Sequence, residues 1–252
     1  MRTRLIAGVA FACLFAAAAS AAEINVLTAG AVQEAEKALA AQYEKTSGNK
    51  VIFTAGTVGQ IQDKLKAGAP ADIIVVSTAA MEGLEKSGAV ADKSAVALGR
   101  IGIGVGAKDG APAPDISTPE KFKQAMLNAK SITYMNPAAG ASSGIATAKI
   151  LKDLGIADEM AKKTKLTETG YSADRVASGE VELAIQNISE IVPVKGVKLA
   201  GPLPAPLQTY TAYSAAVAAK SAHAKEAGDF VRYLARAQSA GTWKAAGVEP
   251  AH

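Results

Sequence analysis

Between Thr54 and Val76 the chain passes from a glycine loop, Thr54-Ala-Gly-Thr-Val-Gly-Gln60, through a helical stretch with Ile61 and Leu65 one turn apart. It then reaches Gly68-Ala-Pro-Ala-Asp72 and the unbroken apolar run Ile73-Ile-Val-Val76. Such a run, bounded by turn residues, reads as a strand returning to a buried sheet. Upstream, Ile24-Asn-Val-Leu27 is a short strand, and Gly30-Ala31 leads into a helix whose Val32, Ala35, Leu39 and Tyr43 recur at helical spacing until Thr46-Ser-Gly48 stops it. Val51-Ile-Phe53 is a second strand. The order β-α-β-α-β forces parallel strands joined by right-handed crossovers, so the fold class is α/β.

The glycines and threonine at the head of the second helix make a bare concavity where backbone N–H groups and the helix dipole favour an anion. This loop, followed by Gly68-Ala-Pro-Ala-Asp72 and its strand, resembles the periplasmic molybdate-binding protein family, the type II solute-binding proteins of ABC importers, from about Ile24 to about Gly247. The resemblance implies two doubly wound α/β domains joined by two crossover strands. Domain I would comprise residues 22–99 and 207–252, domain II residues 100–206, with the crossovers near Gly99 and near Leu207. It also implies a monomeric binding protein, not an enzyme, that captures a small anion of the molybdate or tungstate type and docks on an ABC permease and its ATPase. No cofactor is implied. A small organic carboxylate as ligand, and a ligand-sensing receptor as the role, are the alternatives.

Arg2 and Arg4, the apolar stretch from Leu5 to Ala18, and Ala19-Ser-Ala21 form a cleavable secretory leader over residues 1–21, which places the mature chain, starting near Ala22, in the periplasm. Cys13, the sole cysteine, lies inside that leader, so the exported chain carries no thiol. Removing Arg2 and Arg4 from the 27 basic residues, against 23 acidic ones, lowers the net charge from +4 to +2. With aromatics at 5% and no run of five like charges, nucleic acid is not an expected partner.

Downstream, Ile101 to Val105 reads as a strand whose Gly102-x-Gly104-x-Gly106 matches part of a dinucleotide fingerprint, but a Pro/Gly loop follows instead of a helix. Ser117-Thr-Pro-Glu120 starts a helix, Ser131 to Tyr134 and Val181 to Ile185 are strands, and a small, polar loop runs from Asn136 to Ser143. Thr209 to Val217 is an alternating strand, and Ala227, Phe230, Val231 and Leu234 mark a closing helix.

In open α/β sheets ligands sit where loops leave the carboxyl ends of strands. Four loops qualify here: Thr28 to Ala31, Thr54 to Gln60, Asn136 to Gly144 and Gln186 to Ser189. Laid on the family pattern, the ligand-binding residues fall on Gly30 and Ala31, Thr57 and Val58, Ser142 and Ser143, Gly170, and Gln186 with Asn187. Ala31 stands where the family carries a serine, and Asn187 where it carries a tyrosine. Arg100 and Arg175 are candidate carboxylate partners or ion pairs, and Tyr171-Ser172 a candidate cleft wall. Ser47-x-x-Lys50 has the spacing of a nucleophile motif in the wrong structural context. His223 and His252 are the only histidines, so no metal cation site is expected. Glu34 and Glu36 are expected on a solvated helix face.

Overall fold

The computed structural model describes residues 21–251. The expected leader, with Cys13, and His252 lie outside the described residues. In chain order the elements are β1 (Glu23–Ala29), α1 (Gln33–Ser47), β2 (Lys50–Gly56), α2 (Val58–Lys66), β3 (Ile73–Ser77), α3 (Thr78–Lys86), β4 (Val96–Lys108), α4 (Pro119–Asn128), β5 (Ile132–Met135) and α5 (Ser142–Asp153). They continue as α6 (Ala157–Ala161), β6 (Thr164–Thr167), α7 (Ala173–Ala177), β7 (Leu183–Asn187), α8 (Ile188–Ile191), β8 (Val197–Pro202), β9 (Tyr210–Val217), α9 (Ala224–Ala235), α10 (Ala240–Ala245) and β10 (Glu249–Pro250).

The strands run in the order β2-β1-β3-β9-β4-β7-β5-β6, with β8 and β10 also paired to β4. β1 is parallel to β2 and β3, as the crossover helices require. β5 is likewise parallel to β6 and β7. The long β4 belongs to both groups. Residues Val96 to Gly102 pair with β9, while Ile103 to Ala107 pair with β7.

The cores divide accordingly. Ile73 and Val75 face a cluster with Ile24, Leu39, Tyr213, Phe230 and Trp243, whereas Ile74 and Val76 face Leu27, Ile61 and Met81. A strand whose two faces both meet apolar clusters can only be written as a continuous apolar run, which explains Ile73 to Val76. The other lobe is built on Ile103, Val105, Phe122, Ile132, Leu151 and Ile185.

Local chemistry fixes the element starts. Thr57 and Gln60 form a reciprocal capping box on α2: Gln60 N donates to Thr57 Oγ1 at 3.1 Å and Thr57 N to Gln60 Oε1 at 3.0 Å. Thr118 caps α4 ahead of Pro119, its side chain accepting from Lys121 N. Ser142 and Ser143, expected on a loop, are the first residues of α5, because Gly140 turns the chain left-handed at φ 68° and the helix begins at once behind it.

One acidic residue departs from expectation. Glu36 is on the core face of α1, 0% exposed, with its Oε2 accepting from Thr28 Oγ1 at 2.5 Å. Burial pushes its carboxyl up to about 8, so it is neutral at physiological pH. The expectation of a solvated Glu36 fails because the buried face of α1 includes Val32, Ala35, Glu36, Leu39, Ala40 and Tyr43, a wider stripe than Val32, Ala35, Leu39 and Tyr43 alone.

Candidate functional site

A cavity of about 150 Å³ lies between the two lobes. It is lined by Gly30, Ala31 and Gln33 at the start of α1, by Thr57, Val58 and Gln60 at the start of α2, and by Ala141, Ser142 and Ser143 at the start of α5. Gly30 and Ala31 open the 3-10 turn that runs into α1, so three helix starts aim the positive ends of their dipoles at one space; of their N–H groups, Gln33 N is taken by Gly30 O, Gly59 N by Gly140 O and Gln60 N by Thr57 Oγ1. Thr169, Gly170, Tyr171, Asn187, Glu190 and Tyr213 complete the wall. Eight of the nine expected site residues line it: Gly30, Ala31, Thr57, Val58, Ser142, Ser143, Gly170 and Asn187. Gln186 does not; it is fully buried behind the wall, its Oε1 accepting from Ala173 N at 3.2 Å.

The lips of the cavity touch. Thr57 Oγ1 donates to Ala139 O, Gly59 N to Gly140 O at 3.3 Å, and Tyr171 OH to Glu34 Oε1 at 3.3 Å. A hydroxyl has a single proton, so Thr57 spends its own on the opposite lip and leaves Val58 N–H as the donor of this loop. Contact is this close because both lips carry glycine: a Cβ on Gly59 would stand 3.0 Å from Ala139 O, and one on Gly140 would stand 2.7 Å from Gly59 Cα. Gly144 has a different role. A Cβ there would fall 2.1 Å from Met135 O, so this glycine packs α5 on β5 rather than clearing room for a ligand.

Neither arginine lines the cavity. Arg100 Nε bonds Glu249 Oε2 at 2.7 Å and its guanidinium sits over Tyr210, 4.4 Å from the ring centre. Arg175 bonds Glu180 and Thr167. The lining therefore contains no lysine, arginine or histidine, and its single carboxyl is Glu190.

Glu190 is the residue that sequence reasoning passed over. It follows β7 in the first turn of α8, 7% exposed, with Oε2 accepting from Asn187 Nδ2 at 2.8 Å. Burial raises its carboxyl to about 7 against the lowering effect of that hydrogen bond. Tyr213, on the inner face of β9, was also missed; burial, then the neighbouring Glu190, holds its hydroxyl firmly protonated. Among the described residues no group of three or more His, Cys, Asp or Glu assembles as a metal site, and no helix is long and apolar enough to cross a membrane.

Comparison with known proteins gives these features a setting. The chain is 33% identical over 234 residues to a protein of Pseudomonas sp. named aconitate isomerase, covering 90% of this chain and 87% of the relative. It is 32% identical over 193 residues to the molybdate-binding protein ModA of Azotobacter vinelandii, covering 75% and 73%. The solved Azotobacter vinelandii periplasmic molybdate-binding protein superposes with a TM-score of 0.74 at 20% identity, covering 89% of this chain and 98% of that one, and the fold is the type II periplasmic binding protein fold.

The first relative corrects one expectation. A chain so similar over nine-tenths of the length carries the name of an enzyme, which overturns the exclusion of enzymatic activity. That exclusion came from the resemblance to a binding-protein family and from a nucleophile-spaced motif in the wrong context, whereas moving a proton needs only one well-placed acid–base group. The family described as bacterial extracellular solute-binding protein matches residues 24–249, and to that family the chain belongs.

Proposed function

We propose that the chain is a periplasmic binding protein whose cleft takes a small unsaturated polycarboxylate of the aconitate kind rather than a tetrahedral oxyanion. The lining carries this reading: Ala31 and Asn187 stand where the resembled molybdate-binding pattern has a serine and a tyrosine, which removes two hydroxyl donors to a tetrahedral oxyanion, while a buried carboxyl, Glu190, faces the same space.

The wall chemistry supports the same choice. Spare N–H groups of three helix starts and the Ser142 and Ser143 hydroxyls can hold carboxylates without a basic side chain. Glu190, its carboxyl raised to about 7 by burial, adds a donor whenever it is neutral. The relative named aconitate isomerase fits a carboxylate, and the one named ModA supplies the competing inorganic oxyanion.

In this reading residues 22–99 with 207–252 and residues 100–206 act as two domains that close by hinge motion, and the closed form docks on an ABC permease and ATPase after export. A permease–ATPase gene pair beside this gene is the expected context; a histidine kinase or chemoreceptor there would favour the sensory alternative. The deciding experiment is thermal unfolding with cis- and trans-aconitate, citrate, tricarballylate, molybdate, tungstate and sulfate. A ligand at a thousand times its Kd adds about 4 kcal/mol of stability. Shifts with the tricarboxylates and none with molybdate or tungstate are expected; the reverse pattern overturns the reading.

A further inference from the structure

We infer that Glu190 is an acid–base group that moves a proton between two carbons of the bound ligand, so that the cleft isomerises an unsaturated polycarboxylate as well as holding it; this rests on the polycarboxylate reading above. Among the lining residues only Glu190, Tyr171 and Tyr213 carry a side-chain proton that titrates. Burial, reinforced by the carboxyls of Glu34 and Glu190 for Tyr171 and of Glu190 for Tyr213, keeps both phenols protonated. Glu190 alone can both take and return a proton near neutral pH, where its two forms are comparably populated.

Its placement suits the task. Asn187 Nδ2 holds Oε2, and Oε1 turns toward Gly30 in the opposite wall, where a Cβ would lie 3.5 Å from it. Glycine at position 30 places no side chain in front of that oxygen. The rotation of the carboxyl is fixed by Asn187, itself buried at the end of β7.

The chemistry balances without a co-reactant. In a polycarboxylate with a CH2 beside its carbon–carbon double bond, ionised Glu190 takes a proton from the CH2. The C–H electron pair spreads over the three-carbon unit and into the flanking carboxylate, whose growing negative charge the helix-start N–H groups stabilise. Neutral Glu190 then returns the proton to the far carbon from the same side. The double bond moves by one position, nothing is oxidised or reduced, and no group leaves. Whether the product is cis or trans follows from the conformer that the cleft holds.

The test follows trans-aconitate and cis-aconitate in D2O by proton NMR with the wild-type protein, Glu190→Gln and Glu190→Asp, beside thermal-shift titrations of each ligand. Interconversion with deuterium entering at carbon is expected for wild type. For Glu190→Gln a loss of about a hundred-fold or more is expected, with binding kept within about ten-fold, since a positioned acid–base group is worth 10²–10⁴ in rate. If Glu190→Gln does not fold, Glu190→Asp makes the same comparison, because it keeps the charge and withdraws the oxygen from the ligand. Glu190→Gln turning over as fast as wild type overturns the inference. Wild type that binds aconitate without isomerising it or exchanging its hydrogens also overturns it, while leaving the polycarboxylate reading intact. Absence of any shift with polycarboxylates overturns that reading itself.

Discussion

Replacing Glu36 by glutamine should stabilise this protein and flatten its dependence on pH. The carboxyl is fully buried, its pKa is raised from 4.5 to about 8 by desolvation, and its one hydrogen bond comes from Thr28. Because the folded state holds a proton that the unfolded chain releases, this group contributes stability that is complete below pH 4.5 and falls as pH rises toward about 8. At about 1.4 kcal/mol per pKa unit, the loss across that window amounts to as much as about 5 kcal/mol. Glutamine matches the volume, still accepts from the Thr28 hydroxyl and never ionises. Urea unfolding at pH 5, 6.5 and 8 should therefore show wild type and Glu36→Gln close together at pH 5 and separating steadily, with the variant several kcal/mol more stable at pH 8. Glu190 gives both proteins a second, similar fall between pH 4.5 and about 7, which cancels in the difference. Two parallel profiles across the range would refute the reasoning, because they would mean that Glu36 ionises as readily folded as unfolded.

Gly59→Val places a side chain where 3.0 Å separates a Cβ from the opposite lip, so ligand affinity should weaken at least ten-fold and small-angle scattering should show a larger radius of gyration with ligand than in wild type. Unchanged affinity would mean that the lips do not meet around the ligand. Ser142→Ala with Ser143→Ala should weaken the ligand that wild type binds by about one decade or more, each hydrogen bond to a charged group being worth about 1.5–3 kcal/mol. Calorimetric titration giving equal affinities would reduce both serines to the opening residues of α5.

Where the sequence speaks through period and punctuation, the fold is legible in it. Ile73 to Val76 reads as a doubly buried strand because nothing polar interrupts it, and Thr57-x-x-Gln60 and Thr118-Pro119 announce helix starts that the structure shows. The convergence of four loops follows from the rule for parallel sheets, and the loops do share one cavity. The edge strand β6, Thr-Lys-Leu-Thr, was not foreseen, since only its last residue is buried and it carries no apolar run. β4 was read only from Ile101 onward, because Gly99 and Arg100 break the apolar pattern, yet it begins at Val96.

The two buried glutamates were missed for a common reason and differ in consequence. Carboxylates are assigned to solvent because they are almost never fully buried, so Glu36 was placed by its type rather than by its neighbours and Glu190 was given no role. Neighbours carried the signal for Glu36: it stands four residues after Val32 and four before Ala40, inside the apolar stripe of α1. Glu190 was harder to see, because Asn187-x-x-Glu190 has the spacing of a capping box and so explains itself as a helix start. In the structure Asn187 makes no cap hydrogen bond and donates to the Glu190 carboxylate instead. Breaks in local rules are expected where function resides, but a break alone does not separate function from packing. Cavity access makes the separation: Glu36 faces Thr28 behind the first loop and can only affect stability, whereas Glu190 opens on the cleft and can exchange its proton with whatever is bound there.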